Sequence, residues 1–483
     1  MDSFGTVTKL AFEMHNAVRE DEAEALCRVL LPLNPQDGQL LFLLGMVLHK
    51  TGRHEEAVTW LCRAEQAGPP QARVFHGLGC ACQSLKDWAR AADSFARAIE
   101  LEPHTGSAHY SLGNACYQLG DLDRAVSSFR KAVELDPRDA MSWNNLGKCL
   151  KELNRLEESI AAYDRALTSD PDYALAHYGR AISLLTAGRL QEGFREYEWR
   201  WRKLVPRQFP QPAWKGEAAP GKTLFLHAEQ GFGDAILAAR YVALARERVA
   251  RVILECRPEL KTLFTYSACA DVVIAYGEPI PPFDCFTSLI SLGGILGVTL
   301  ETVPRRTPYL KAPRCEDLPP APARHLKVGL VWAGNPGHHD DASRSLRLEQ
   351  LTPILRTPGV TFYSLQVPVP TGDEVCLGSF SNVVDLGRRF KDFLETSSVV
   401  AEMDLVISVD TAVAHLAGAL ARPVWTLVQY APDWRWFLDR ADTVWYPTMR
   451  LFRQAWRGEW QPVIERAAES LRGLSAGKAQ PAH

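Results

Sequence analysis

A chain of 483 residues has enough material for two or three domains, each with a full core. Its 54 Lys and Arg stand against 57 Asp and Glu, a net charge of -3 with both signs mixed, which excludes binding driven by nucleic-acid phosphates. The 11 cysteines are scattered without a repeated Cys-x-x-Cys, so they are expected to be small apolar residues rather than zinc or disulfide partners. The opening residues lack a basic segment followed by an apolar run, and no stretch is long enough to span a bilayer. The chain is therefore expected to be cytoplasmic, without a transmembrane segment.

The first elements repeat. Pro35, Pro69, Pro103, Pro137 and Pro171 are each 34 residues apart. Gly45, Gly79, Gly113 and Gly147 recur in the same phase, where two helices of a hairpin cross too closely for a side chain. Leu61, Phe95, Phe129 and Tyr163 follow as knobs between hairpins, and Ala64, Ala98, Ala132 and Ala166 precede each proline. Over 4–203 this pattern resembles tetratricopeptide repeats, with degenerate units at both ends as expected of caps. The first helix of each unit lines a concave face. It carries Phe42, His76, Tyr110, Asn144 and Tyr178, with Asn114 one turn beyond Tyr110. The row is aromatic and amide-rich rather than basic. It suits an extended polypeptide acceptor held by stacking and hydrogen bonds; the alternative is a solvated groove with no single ligand.

Next comes a strap rich in Trp and Pro over 204–222, preceded by Trp199 and Trp201 and containing Trp214. Its aromatics need a surface to cover, so it is expected to pack on the domain that follows. From residue 223 strands and helices alternate. TLFLHA, RVILEC and ADVVIAY read as strands, and AILAARYVALARERV as a helix. The proline-rich 308–322 reads as a connection. KVGLVWAG, VTFYSLQ, LVISVD and a final PVWTLV form a second series, with TAVAHLAGALA as a helix. A last helix is expected near 460–471, then a disordered tail over 476–483. Alternation of this kind implies two parallel sheets covered on both faces, hence two Rossmann-like lobes over 223–315 and 316–475. Ligands of such sheets bind beyond the carboxyl ends of the strands.

Four segments carry a resemblance: GFGDAIL (231–237), VGLVWAGNP (328–336), ISVDTAVAHLAGAL (407–420) and APDWRWFLDRADTVWYP (431–447). In this order they resemble the heptosyltransferase-like glycosyltransferases of family 9, in the subgroup fused to tetratricopeptide repeats. The fold class implied is an α-solenoid followed by an α/β GT-B fold. The activity implied is transfer of a sugar from a nucleotide-sugar co-substrate, inverting and independent of metal or other cofactor. The same domain order in bacterial flagellin-modifying enzymes implies a flagellin-like polypeptide acceptor. Two alternatives stay open: a catalytically inactive repeat adaptor, and transfer to a lipid-linked or polysaccharide acceptor.

Residue by residue, the resemblance places the donor diphosphate at Asp410, Thr411, Ala412 and Val413. There a strand ends and a helix opens with free N–H groups. His415 would reach phosphate or ribose. On the residues alone, Asp410 or Thr411 caps the helix and His415 packs in the core. Related enzymes carry glycine at Ala412. Arg344 would hold phosphate oxygens, or is a solvated loop arginine. Asn335 and Gln366 could contact sugar or base. Asp234 corresponds to the general base, and otherwise caps its helix; Glu229 is the reserve. Trp434, Arg435, Trp436, Trp445 and Tyr446 either stack on a ligand or close the core beside Trp199 and Trp214. The run His338, His339, Asp340 and Asp341 reads as a solvated loop. Asp121 and Asp123 read as a repeat turn rather than a metal site.

Overall fold

The computed structural model describes residues 3–202, 204–205, 207–338 and 340–479. It divides into two compact units, one ending at Arg180 and the other starting at Ala181.

The first unit is a stack of helical hairpins. After helices Ser3–Asn16 and Glu20–Leu30 come the pairs Gly38–Lys50 with His54–Gln66, Ala72–Ser84 with Trp88–Leu101, Gly106–Leu119 with Leu122–Leu135, and Ala140–Glu152 with Leu156–Ser169. Asp37, Asp87, Asp121 and Asp139 start four of these helices by accepting backbone N–H bonds with their side chains. Asp121 is thereby a helix cap. The ruled glycines lie against the ruled knobs. A Cβ at Gly45 would come within 2.6 Å of Leu61, at Gly79 within 2.6 Å of Phe95, at Gly113 within 2.8 Å of Phe129 and at Gly147 within 3.0 Å of Tyr163. Phe95 and Phe129 are fully buried and cannot withdraw. Gly79→Ala is accordingly expected to destabilise the repeats by about 1–3 kcal/mol, the usual cost of overpacking a filled core. A thermal melt of the full chain reads this as a lower first transition.

The second unit takes in the end of the repeat pattern. Phe194, in helix Leu190–Tyr197, fills the space above Gly293 and Gly294 of the following lobe. Trp214 is buried, its backbone N–H donates to Phe286 O at 2.8 Å, and Phe209 packs edge-on to Phe225, Phe283 and Phe286. The strap thus lies on the lobe that follows it.

Among the described residues ten strands form two parallel sheets. The first holds β1 (Ala219–His227), β2 (Val249–Cys256), β3 (Val272–Ala275) and β4 (Cys285–Ser288) in the order β3-β2-β1-β4. The second holds β5 (Leu326–Val331), β6 (Val360–Ser364), β7 (Val383–Asp385), β8 (Leu405–Val409), β9 (Val424–Val428) and β10 (Met449–Arg453) in the order β10-β9-β8-β5-β6-β7. All of its pairs are parallel. Counted within the second lobe, that is the doubly wound order 3-2-1-4-5-6. The order reverses between β1 and β4 in one lobe and between β5 and β8 in the other. These two crevices are where ligands of such sheets bind.

Some sequence expectations change. PVWTLV is not the last strand: β10 follows it, an edge strand whose Met-Arg-Leu-Phe-Arg pattern mixes charge with apolar residues. β7 has only three residues, and β4 (Cys-Phe-Thr-Ser) lacks the run of β-branched residues that marks β3. The final helix runs Gln461–Ala479, past Leu471 and into the segment expected to be disordered; within it Ser475 Oγ donates to Pro358 O at 2.7 Å. Residues 480–483 lie outside the described residues. No described helix is long and apolar enough to cross a membrane.

Candidate active site

The loop after β1 opens helix Phe232–Ala238, and the loop after β8 opens helix Ala412–Ala419. These helices meet across the two lobes. A Cβ on Gly233 would come within 2.8 Å of His415 Cδ2 and 3.7 Å of Ala412 Cα, so only glycine admits this approach without a shift. Asp234 is the next residue. Its Oδ2 accepts from Gly231 N at 3.0 Å and its Oδ1 pairs with Arg435 Nη2.

Arg435 belongs to the turn Trp434–Trp436 after β9. Its side chain is 8% exposed, lies 4.4 Å over the Trp434 ring, and gives Nη1 to Asp433 Oδ1 at 2.6 Å. Burial alone would weaken its charge, but Asp234 and Asp433 outweigh that and hold its pKa above the ordinary value. Burial likewise works to raise the Asp433 carboxyl, and Arg435 reverses it to a net lowering. Asp410, at the carboxyl end of β8, is pushed the other way. Enclosure raises it and the neighbouring Asp433 charge adds to the rise, against smaller effects of Trp436, Arg344 and Arg435.

Of the donor-side residues expected from the sequence, Asp410 to His415 lie at this point and Arg344 acts on Asp410, while Asn335 and Gln366 serve their own loops. Thr411 starts the helix without a side-chain cap bond; its Oγ1 lies 2.9 Å from Ser408 Oγ. The N–H groups of Ala412 and Val413 therefore open the helix without a side-chain acceptor. His415 is buried, with Nδ1 2.9 Å from Tyr446 OH and its ring stacked on Trp436 at 5.0 Å. It packs in the core of the lobe contact. Arg344 lies beside Asp341 at 3.3 Å. Asn335 is exposed and its Oδ1 accepts from Gly337 N. Gln366 takes a different role from the one expected. It is buried, its Oε1 accepts from Trp332 N and Ala333 N, and its Nε2 donates to Ala333 O and Pro368 O, each at 3.0 Å. All four hydrogen-bonding positions of the amide go to the loop backbone, which it shapes from behind.

Glu229 is also not a free base. Its Oε1 accepts from Arg200 Nη2 at 2.9 Å and its Oε2 from Ser288 Oγ at 2.5 Å. Arg200 is buried and bonds further to Ser291 and Glu198. Trp434, Trp436, Trp445 and Tyr446 are all buried, so they close the core: Trp434 meets Phe194 and Trp445 edge-on, and Trp436 and Tyr446 pack on His415. Arg435 is the residue the sequence reading misplaced among them. Asp340 and Asp341 serve loop and helix-start bonds, and His339 lies outside the described residues. Among the described residues no cluster of His, Cys, Asp and Glu could hold a metal ion.

In the repeat row Phe42, His76, Tyr110, Asn114 and Tyr178 are partly exposed. Asn144 is not available: it is buried, with Nδ2 on Asn145 Oδ1 at 3.1 Å. Asn145 stands in the row instead, donating to Asn114 Oδ1 at 2.9 Å and lying 3.4 Å from Tyr110 OH.

The tetratricopeptide-repeat family profile matches residues 17–72, 77–140, 119–174 and 144–208. The profile of glycosyltransferase family 9 (heptosyltransferase) matches 391–436, which contains Asp410 to His415 and Asp433 to Trp436. The chain is thus similar to tetratricopeptide repeats over its first part and to glycosyltransferase family 9 over 391–436. It is 28% identical to Protein FlbA of Caulobacter vibrioides over 320 residues, 59% of this chain and 52% of that protein. The chain thus spans about half the length of this curated relative. Among solved structures it is similar to YrrB, described as a TPR protein with an unusual peptide-binding site, at 25% identity and TM-score 0.34 over 35% of this chain and 88% of that one. It is also similar to MamA, at 20% identity and TM-score 0.33 over 35% and 93%.

Two buried histidines give the second unit a pH dependence. Burial, aided by Arg435, lowers His415 to about 3. Burial, aided by Arg207 and Arg200, lowers His227 to about 4. Both stay neutral in the fold below the pH at which an unfolded histidine protonates, about 6.5. The unfolded state then binds more protons, so stability falls as pH drops from about 6.5 toward 4. Asp410 contributes the opposite sign, because a raised carboxyl holds its proton longer in the fold. Melts at pH 7 and pH 5 are expected to show a lower second transition at pH 5, and His227→Gln is expected to reduce the difference.

Proposed function

We propose that this chain is an inverting glycosyltransferase that moves a sugar from a nucleotide-sugar to a polypeptide hydroxyl or amide, the polypeptide being recruited by the repeats. For a hydroxyl acceptor, its oxygen attacks the anomeric carbon, its proton passes to Asp234, and the bond from that carbon to the diphosphate oxygen breaks. The nucleoside diphosphate leaves with the electron pair. The start of helix Ala412–Ala419 and Arg344 would stabilise the charge that develops there, with no metal in the step. Cytoplasmic action on a flagellin-like acceptor fits this reading.

One observation carries it: the carboxylate of one lobe and the uncapped helix start of the other meet at Gly233, each beyond the carboxyl end of its sheet. The experiment is co-expression of candidate polypeptide acceptors, flagellin among them, with this chain and with Asp234→Asn. Intact mass is then measured. A sugar-sized increment lost in the variant supports the reading. The engagement of both Asp234 oxygens favours a second reading, an inactive adaptor. It predicts no increment on any acceptor and no stabilisation by any nucleotide-sugar in a thermal-shift screen.

A further inference from the structure

We propose that Arg435 alternates between two anions, holding Asp234 while the site is unloaded and passing to the donor's diphosphate when it binds. This rests on the glycosyltransferase reading and assigns a regulation to the same site.

Three features lead to it. First, the anchoring of Arg435 is one-sided. Its backbone N–H and Nη1 both go to Asp433 Oδ1, at 3.0 and 2.6 Å, and its carbonyl accepts from Trp445 Nε1 at 2.7 Å. That end is fixed within one lobe. The bond from Nη2 to Asp234 is the only one of these that crosses to the other lobe. Second, Nε is buried with no acceptor, on a side chain only 8% exposed. Buried guanidinium donors are nearly always paired, and one left open marks where an acceptor is due. Third, an anion site adjoins it. The start of helix Ala412–Ala419 has no side-chain cap, and Arg344 and Arg435 both act on the carboxyl of Asp410 immediately before it. A diphosphate there would carry more negative charge than the single carboxylate of Asp234. It could accept from Nε and Nη2 together, as guanidinium forks prefer.

The consequence is a base armed by its co-substrate. With Arg435 in place, Asp234 Oδ1 is neutralised. With Arg435 on the diphosphate, Oδ1 is free for the acceptor proton, while Gly231 N–H still aims the carboxylate through Oδ2. Arg435 is a positioning residue for Asp234 and a ligand of the leaving group.

The test is calorimetric titration of the full chain with ADP, GDP, UDP and CDP, following whichever binds. Arg435→Met is expected to weaken it about ten- to a hundredfold, the loss of a charge-assisted bond pair. Arg435→Lys should recover part of that. Asp234→Asn removes the competitor, so it should bind the nucleoside diphosphate several-fold more tightly than the wild type while losing transfer. The decisive reading is the double variant: with Arg435→Met the gain from Asp234→Asn should vanish. If Arg435→Met does not fold by circular dichroism, the same cycle is run with Arg435→Lys, where the gain should shrink. An unchanged or weaker affinity in Asp234→Asn overturns the exchange, as does an equal gain in both backgrounds. Wild type that binds a nucleoside diphosphate without this coupling sinks the exchange alone. Wild type that binds none of the four and modifies no acceptor sinks the glycosyltransferase reading and the exchange with it.

Discussion

Replacing Asp234 by Asn is expected to slow sugar transfer by about a hundred- to ten-thousandfold, the usual contribution of a positioned general base. The fold should survive. An Asn side chain fills the same volume and can still accept from Gly231 N–H, so helix Phe232–Ala238 keeps its start. Arg435 keeps Asp433 as a counter-charge. On the proposed reading, the lost function is proton acceptance. The control is Glu229→Gln, five residues earlier in the chain. Glu229 is bonded to Arg200 and Ser288, so its change should lower the melting temperature and leave the turnover of folded protein within a few-fold. Initial rates on one acceptor, with melts of each variant, separate the two carboxylates. If Asp234→Asn retained turnover within tenfold of the wild type while Glu229→Gln abolished it, the base would have been assigned to the wrong residue.

The legible and illegible parts of this chain divide along physical lines. The repeats were readable because each unit must bury the same glycine against the same knob. A 34-residue period therefore marks every contact, down to Gly79 beneath Phe95. The lobes were readable as alternating elements because β5, β6, β8 and β9 are almost wholly buried and so almost wholly apolar. The edge strand β10 escapes a sequence reading because an arginine on each face interrupts its apolar run, and β7 because three residues hold no period.

At the site, Asp234 and the start at Thr411 could be chosen because strand ends and glycines are local signals. The direction of a polar side chain is not local. Gln366 sits at a strand end as expected, yet four backbone groups from two loops take all its bonds. The sequence groups Arg435 with aromatics because its neighbours are Trp434 and Trp436. Its partner Asp234 lies 201 residues away, a pairing that no spacing rule carries. Asn144 and Asn145 are interchangeable in composition, and only the rotation of helix Ala140–Glu152 decides which one is buried.

The contact between the lobes hangs on a second cation, and Arg240→Met is expected to cost the second unit about 3–5 kcal/mol. Arg240 is buried in the lobe of β1. Its Nη1 donates across to Trp445 O at 2.7 Å and to Pro304 O at 3.1 Å. Nε donates to Leu237 O, and Nη2 lies 3.1 Å from Tyr309 OH. The guanidinium also rests 4.8 Å from both the Tyr309 and Tyr446 rings. Burial alone would lower its pKa, but the tyrosines around it give a net rise, so the charge is kept. Methionine conserves most of the volume and none of the donors. Each buried acceptor left open costs about 1–3 kcal/mol, and Arg240 serves the carbonyls of both Trp445 and Pro304. At about 2–4 °C per kcal/mol for a large domain, the second transition should fall by roughly 10 °C. Because Tyr446 also fixes His415, and His415 lies against Gly233, the loss should reach the site. Transfer by the folded fraction is expected to drop as well, with the melt of the repeats unmoved. A variant that melted within about 2 °C of the wild type would mean that Arg240 is not what holds the lobes in register.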